Sequence, residues 1–196
     1  MYKKVNITEN TLQVLSLFTN GFDREYYIRE VEKLLEISPR TSQLILESLE
    51  NKGIIESKIK GKIKSYKIKI NELSKKYFIF VEQYKSIAFM EKNLLVKEII
   101  SKISPFIEGI GIIFGSYAKG TENKESDLDV FIAGAYDKEE IKKVSRNLGI
   151  EISVKCYSLK TFENNLNKDI LLKEILKNHV IFADAEQFIR KVLANG

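Results

Sequence analysis

Two segments of the chain decide its fold, IIFGSYAKG at residues 112–120 and SDLDVFI at residues 126–132. Each contains a short apolar run that is typical of a buried β-strand. The first run is followed by Gly115 and Ser116, and the second is preceded by Asp127 and interrupted by Asp129. Because side chains alternate along a strand, we expect both carboxylates to project from one face while their apolar neighbours enter the core.

The two aspartates and the glycine–serine pair together indicate a nucleotide site. Adjacent carboxylates repel each other, so a bound cation favours leaving both ionised. Such oxygen ligands suit Mg²⁺, or Mn²⁺, with the remaining positions filled by water and substrate phosphates. Gly115 allows a close approach of backbone N–H groups to a phosphate, Ser116 adds a hydroxyl, and Lys119 adds positive charge. The pattern predicts metal-assisted attack on a nucleoside triphosphate.

The sequence around this motif alternates strands and helices, which predicts an α/β arrangement in a small frame. The expected strands are 110–114, 128–133, 150–156 and 180–182, and the expected helices are 137–148, 159–166, 168–178 and 184–194. A long helical pattern at 71–104, with a break near Asn93, precedes them. We therefore expect a linking helix at 71–104 and a second domain at 105–196 with a mixed β-sheet and helices.

The first 70 residues show a different pattern, three short helices followed by a strand–turn–strand. The helices are expected at 8–20, 25–36 and 39–52, and the hairpin at 54–70. Ser38 and Pro39 are a start signal for the third helix, in which we expect Leu44, Ile45 and Leu49 to face inward. The order resembles a winged helix-turn-helix domain. That resemblance implies DNA contacts at the start of the third helix, from Arg40, Thr41, Ser42 and Gln43.

The expected hairpin carries six lysines within twelve residues that contain no acid, at 58, 60, 62, 64, 67 and 69. Alternation places isoleucines opposite them, so the wing is expected to offer a row of ammonium groups to DNA phosphates. The candidate phosphate contacts are Lys58, Lys60, Lys62 and Lys64. The alternatives are a solvated hairpin whose lysines prevent edge-to-edge aggregation, or a module for protein contacts or dimerisation.

The string from Gly115 to Gly120, followed by Ser126 to Asp129, resembles the DNA polymerase β-like nucleotidyltransferases, in particular their minimal members. The resemblance implies two-metal transfer of a nucleoside monophosphate from an NTP, with ATP expected, to an acceptor. Asp127 and Asp129 would hold the metals, while Gly115, Ser116, Lys119 and Ser126 would bind the nucleotide. It also suggests a protein acceptor, the tyrosine of a small RNase toxin such as a HEPN-type toxin.

The same family uses a third carboxylate on a later strand, and here the sequence departs from the pattern. Glu151 is the acid in the segment 149–156, with Ser153 and Lys155 on its face. Glu151 is our candidate for the third catalytic and metal-binding acid. If Ser153 occupies that place instead, the site could bind a nucleotide without turning it over. The alternative function is then a DNA-binding transcription regulator with a degenerate, nucleotide-sensing or docking domain.

Composition agrees with a soluble protein that has a basic first half. The first 75 of the 196 residues contain 14 Lys and Arg against 10 Asp and Glu, and this accounts for most of the net charge of +5. Cys156 is the single cysteine, which excludes an internal disulfide framework. No apolar run approaches the roughly 20 residues of a membrane span. We expect a cytoplasmic protein, and a homodimer because DNA readers of this shape commonly pair.

Overall fold

The structure, a computed structural model, describes residues 5–194, with the side chain of Lys60 left out. It divides into two compact units, and the division falls between Val81 and Glu82. None of the helices in the described range is long and apolar enough to span a membrane.

The first unit combines helices with a small antiparallel sheet. Its elements are α1 (Glu9–Phe18), β1 (Tyr26–Tyr27), α2 (Ile28–Leu35), α3 (Pro39–Asn51), β2 (Ile55–Lys60) and β3 (Ile63–Ile68). The strand order is β1-β3-β2. The two-residue strand β1 was not expected from the sequence. Its Tyr26 is buried, donates its hydroxyl to the Leu17 carbonyl at 2.8 Å and packs edge-on against Phe18, so β1 attaches the sheet to the end of α1.

Helix α3 starts where the sequence predicts and buries Leu49 as expected, but the rest of its inward face differs from the prediction. The Ser38 hydroxyl accepts the Thr41 N–H at 3.0 Å and Pro39 occupies the first turn, which is a capped start. The inward face is formed by Ser42, Leu46 and Leu49, all nearly inaccessible to solvent. Leu44, which was expected inside, is 49% exposed. The run Leu44-Ile45-Leu46 offers two possible inward faces, and the structure uses the later one.

The expected linking helix at 71–104 is two helices, α4 (Glu72–Lys92) and α5 (Leu94–Ile103). The break lies at Asn93, whose backbone is not helical (φ −119°, ψ 75°), as the sequence predicted. A short 3₁₀ turn, Ser104–Phe106, ends α5. The buried residues of α5, among them Val96 and Ile103, belong to the core of the second unit.

The second unit is built on a mixed sheet, which confirms the expected fold class of mixed helix and strand. Its remaining elements are β4 (Ile107–Ile113), α6 (Gly115–Lys119), β5 (Leu128–Tyr136), α7 (Lys138–Leu148), β6 (Ile152–Tyr157), α8 (Leu159–Asn165), α9 (Ile170–Lys177), β7 (Val180–Ala183) and α10 (Ala185–Val192). The strand order is β6-β5-β4-β7. β5 pairs with β6 in parallel and with β4 antiparallel, and β4 pairs antiparallel with β7.

The two faces of strand β5 are both covered. Leu128, Val130 and Ile132 join the core cluster that includes α5 and Ile141 of α7. On the opposite face, Phe131 packs edge-on against Tyr157 at 5.3 Å, and its ring centroid is 6.0 Å from that of Phe162. Asp129 belongs to this second face because it alternates with Val130. The strand is thus apolar almost throughout, and its one charged residue, Asp129, lies near its beginning.

A buried charged cluster lies elsewhere in the second unit. The side chains of Glu82 and His179 are inaccessible to solvent, and their Oε1 and Nε2 atoms are 3.2 Å apart. Lys85 Nζ is 3.0 Å from Glu82 Oε1 and 3.3 Å from His179 Nε2. His179 Nδ1 lies 3.1 Å from the Ile175 carbonyl oxygen, so Nδ1 carries the proton that this bond requires. The cluster fixes the second half of α4 to the turn before β7.

Candidate active site

The two aspartates of the motif lie at the beginning of strand β5. Asp127 directly precedes the strand and is exposed, whereas Asp129 is its second residue and is half-buried. Their side chains are two residues apart, so they leave the chain on the same side. The strand is anchored there by its neighbours, because Phe114 N–H donates to the Asp129 carbonyl at 3.1 Å and Leu128 N–H donates to the Glu151 carbonyl at 2.8 Å.

Gly115 lies against the carboxylate of Asp129. A Cβ atom built on Gly115 would be 2.1 Å from Asp129 Oδ2, and the backbone of Gly115 has φ +70°, a conformation that favours glycine. Both facts restrict this position to glycine. The absence of a side chain leaves the backbone at the start of α6 in direct reach of whatever the Asp129 carboxylate binds. The structure therefore brings together the glycine and the aspartate that are fourteen residues apart in the motif.

The other expected nucleotide-binding residues lie on α6 and on the loop after it. Ser116 is half-buried on α6, and its carbonyl accepts the Thr121 N–H at 3.0 Å. The Ser126 hydroxyl accepts the Asn123 N–H at 2.9 Å, which folds the loop back before Asp127. Lys119 ends α6, and its Nζ is 2.8 Å from Glu174 Oε1 on α9, with both side chains close to half exposed. An exposed ion pair is weak, so Lys119 can exchange this partner for a phosphate.

The register of β6 places Ser153, rather than Glu151, directly beside Asp129. Glu151 is exposed and precedes β6, and the register pairs Asp129 with Ser153 and Phe131 with Lys155. Among residues 5–194, no three His, Cys, Asp or Glu side chains gather closely enough to hold a metal ion. Paired residues of neighbouring strands share a face of the sheet, so Ser153 lies beside Asp129 and Lys155 lies on the same face, one pleat further along.

The electrostatics of the aspartates suit a single divalent cation. Burial raises the pKa of Asp129, the neighbouring Asp127 carboxylate raises it further, and Lys155 acts in the opposite direction. A carboxylate that is disfavoured by its neighbours gains from a positive ligand. Two carboxylates beside a glycine backbone form an oxygen donor set that Mg²⁺ or Mn²⁺ accepts when phosphates and water complete it. Asp127 and Asp129 therefore fit one such ion.

A family comparison agrees with this geometry. Residues 95–190 match the family model for the nucleotidyltransferase domain. The match begins at the first turn of α5 and ends within α10, so it covers the whole sheet of the second unit. It supports nucleotidyl transfer as the general activity of this region. Comparison with curated proteins finds no match.

One solved structure that aligns with the chain is that of TrmBL2, an archaeal chromatin protein described as showing a novel mode of DNA binding. The alignment covers 86% of this chain and 69% of the chromatin protein, at 13% identity and a TM-score of 0.29. A TM-score this low does not by itself indicate a common fold.

Outside the region that matches the family model, the first unit carries the residues expected to contact DNA, and α3 presents three of the four. Arg40 is exposed, and Thr41 and Gln43 are half-buried, with the Gln43 amide donating to Glu47 Oε1 at 2.8 Å. The prediction that Ser42 contacts DNA is wrong. It is inaccessible to solvent and donates its hydroxyl to the Ser38 carbonyl at 3.2 Å, so it belongs to the interior of this unit.

The lysines of the hairpin do not form one row. The register pairs Ile59 with Lys64 and Lys60 with Ile63, so Lys64 lies on the face opposite to Lys58 and Lys60. Lys64 Nζ is 2.6 Å from Glu50 Oε2 on α3 and lies over the Tyr66 ring, which ties the hairpin to the helix. Lys58 and Lys62 are exposed, and the side chain of Lys60 lies outside the described part of the chain.

Two residues with charges near the motif were not expected to act there. The sequence marks Lys155 only by the face that it shares with Glu151, and it gives no signal for Glu174. The alternation along β6 placed Lys155 on the face of residues 151 and 153, but which of them lies beside Asp129 depends on the strand register. No local pattern in the sequence pairs Lys119 with Glu174, since 55 positions separate them.

Proposed function

We propose that the second unit transfers a nucleoside monophosphate from an NTP, with ATP expected, to an acceptor hydroxyl. The observation that carries this proposal is the contact of Gly115 with Asp129, where a Cβ would approach the carboxylate to 2.1 Å. Because Gly115 has no side chain, the space beside the carboxylate pair can hold a phosphate together with its metal ion. The family match over residues 95–190 supports the same activity.

In this proposal each residue of the site has a separate task. Asp127 and Asp129 hold Mg²⁺ or Mn²⁺, which when bound polarises the phosphates and stabilises the charge of the transition state. The backbone at Gly115 and the hydroxyl of Ser116 hold the phosphate chain. Lys119 leaves Glu174 and binds the terminal phosphates, while Ser126 keeps the loop folded in front of Asp127. We propose a protein hydroxyl as the acceptor, such as a tyrosine of a HEPN-type toxin.

Labelling with NTPs that carry a radioactive α-phosphate tests this proposal. A lysate of the source cells provides acceptors, and Mg²⁺ or Mn²⁺ is added or withheld. We expect a metal-dependent labelled band that disappears in the double variant Asp127→Asn/Asp129→Asn. An Asp23→Asn variant, at an exposed position of the first unit, serves as the matched control. Labelling that survives in the double variant would refute the assignment of the two aspartates.

We further propose that the first unit binds duplex DNA as a winged helix-turn-helix domain. The exposed Arg40 and the half-buried Gln43 on α3, together with the exposed lysines Lys58 and Lys62 on the hairpin, support this proposal. Cationic side chains on a hairpin provide affinity through phosphates and little sequence reading, whereas the beginning of α3 offers polar groups to base edges. Lys64 is excluded from the proposed contacts because Glu50 and Tyr66 engage it.

Fluorescence anisotropy with a labelled duplex tests the DNA-binding proposal. The triple variant Lys58→Glu/Lys60→Glu/Lys62→Glu should lose binding at low salt and, where binding is measurable, show a smaller salt dependence, by about one unit of slope per lost phosphate contact. Lys97→Glu is the control, because it reverses the charge of an exposed lysine on α5 and leaves the hairpin unchanged. Unchanged duplex affinity in the triple variant would contradict the proposal.

A second candidate function is favoured by the residues that lie near Asp129 on strand β6. Ser153 and Lys155 beside Asp129 lack the carboxylate that the resemblance implies, and a site without that base is expected to bind NTP without turnover. The chain would then be a DNA-binding regulator that senses nucleotide. Metal-dependent NTP binding without labelling of any acceptor, together with an NTP-dependent change in duplex affinity, would favour this function over transfer.

A further inference from the structure

The face of the sheet that carries Asp129 also carries a lysine, Lys155, on the strand where a third acid was expected. β5 and β6 run parallel, and the register pairs Asp129 with Ser153 and Phe131 with Lys155. Asp129, Ser153 and Lys155 are therefore on one face, with Lys155 one pleat further along than the partner of Asp129. Lys155 is exposed, so its long side chain is free of the packing that immobilises Phe131.

The surroundings restrict where a positive charge can act on this face. Beyond Lys155 the same face becomes apolar, because Phe131 packs against Tyr157 and Phe162. Toward the beginning of the strands lie the Asp129 carboxylate and, next to it, the bare backbone of Gly115. An ammonium group is expected to extend toward the carboxylates and away from the aromatic rings. The effect of Lys155 in lowering the pKa of Asp129 agrees with that direction.

We propose that the site holds one divalent cation, between Asp127 and Asp129, and that Lys155 supplies the second positive charge by contacting the α-phosphate. This inference rests on the proposed nucleotidyl transfer. Two carboxylates supply few ligands for two hard cations, Ser153 is neutral, and Lys155 repels a second cation. An ammonium group neutralises a phosphate oxygen without metal ligands of its own.

The transfer exchanges one bond at the α-phosphorus for another. The acceptor hydroxyl oxygen forms a bond to the α-phosphorus, and the bond from that phosphorus to the oxygen bridging to the β-phosphate breaks. Pyrophosphate leaves with the electron pair of that bond, and the acceptor proton passes to solvent water. Lys155 remains protonated throughout, so its contribution is to attract the charge that develops on the α-phosphate oxygens.

Counting bound Mn²⁺ tests this inference without knowledge of the acceptor. The chain is titrated with Mn²⁺ in the presence of α,β-methylene-ATP, with the free ion followed by electron paramagnetic resonance. We expect one bound Mn²⁺ in the unmodified chain and two in Lys155→Asp, which replaces the positive charge on this face by a further carboxylate. Lys155→Met should keep one Mn²⁺ and weaken α,β-methylene-ATP binding about tenfold, the loss expected for one charge-assisted hydrogen bond.

Controls separate this inference from the proposed function. Lys138→Met, at an exposed lysine of α7, should match the unmodified chain in both measurements, and circular dichroism checks that each variant folds. Two Mn²⁺ ions in the unmodified chain, or unchanged nucleotide affinity in Lys155→Met, would overturn the role of Lys155 and leave nucleotidyl transfer standing. Failure of the unmodified chain to bind either Mn²⁺ or α,β-methylene-ATP would overturn both.

Discussion

Two carboxylates of the second unit, Asp129 and Glu82, are both shielded from solvent, but their pKa values shift in opposite directions. Asp129 has Asp127 as its near neighbour, and burial together with that like charge raises its pKa. Glu82 is completely buried, and burial alone would raise its pKa, but Lys85 and His179 lower it to about 2. One carboxylate is left with excess negative charge at the beginning of a strand, and the other is compensated inside the unit.

This difference in charge compensation distinguishes a site that can bind a metal ion from a cluster that stabilises the fold. A carboxylate whose charge is compensated by its own chain gains little from a metal ion, because the ion would have to displace Lys85. A carboxylate that repels its neighbour gains from any cation that approaches. On this physical ground Asp127 and Asp129 are candidates for ligand binding, and Glu82 is a candidate for stability, although all three are acids of the same unit.

The largest expected effect comes from breaking the compensated cluster with Lys85→Met. Removal of the ammonium group leaves the Glu82 carboxylate buried beside a neutral His179, and the loss of one partner from a buried ion pair costs about 3–5 kcal/mol. Urea unfolding at pH 7 measures it. Lys97→Met, at an exposed lysine, is the control and should change the free energy of unfolding by less than about 0.5 kcal/mol. A loss below about 1 kcal/mol in Lys85→Met would show that the cluster contributes little to stability.

Acid should weaken the same cluster in two steps. Burial and Lys85 lower the pKa of His179 below 6.5, so the unfolded chain takes up this proton first and stability begins to fall below about pH 6.5. The depressed pKa of Glu82 contributes stability that is complete above about pH 4.5 and lost as the pH falls towards 2, roughly 3 kcal/mol in all.

The variant His179→Gln separates the two steps. Its free energy of unfolding should be flat between pH 7 and pH 5, where the unmodified chain loses stability, and both chains should lose stability below pH 4.5. Urea unfolding at closely spaced pH values gives both curves. Parallel curves across the whole range would mean that His179 does not titrate differently in the folded and unfolded chain.

Two glycines with the same backbone conformation test the contact of Gly115 with Asp129. Gly115 has φ +70° and Gly120 has φ +67°, but a Cβ on Gly120 meets no atom within 4 Å. Gly120→Ala should therefore cost only the backbone strain, on the order of 1 kcal/mol. Gly115→Ala adds the displacement of the Asp129 carboxylate, so it should be the less stable of the two and bind Mn²⁺ about 10–100-fold more weakly. Equal Mn²⁺ affinity in both variants would contradict a shared site.

Much of the fold could be predicted from local signals in the sequence. Ser38 and Pro39 mark the start of α3, Asn93 marks the break between α4 and α5, and the apolar run after Asp129 marks the central strand. Each signal acts through a few neighbouring residues, such as a cap or a run of alternating side chains. The family match likewise agrees with the motif from which nucleotidyl transfer was inferred.

The errors arose where the answer depends on register. Ser42 was expected to contact DNA because the resemblance implies contacts at the start of the third helix, whereas the packing of α3 turns it inward with Leu46 and Leu49. Lys64 was expected beside Lys58, but Lys60 pairs with Ile63 across a two-residue turn. In this register an even-numbered residue of β2 pairs with an odd-numbered residue of β3. Lys58 on β2 and Lys64 on β3 therefore lie on opposite faces of the sheet. Pairing between distant strands also decides that Ser153 lies directly beside Asp129, a place that the sequence left open between Ser153 and Glu151.

The smallest expected effect has the opposite sign and comes from Asp129→Asn. Because the pKa of Asp129 is raised in the folded chain, its ionised form opposes folding above that pKa, and removal of the charge should raise the free energy of unfolding by less than about 1 kcal/mol at pH 7 without metal. Added Mn²⁺ should reverse the order, since a ligand of the folded state stabilises only the chain that binds it. Thermal unfolding with and without Mn²⁺ measures both effects. If Asp129→Asn instead lowered stability in the absence of metal, Asp129 would be compensated as Glu82 is, and its excess negative charge could not be what attracts a cation.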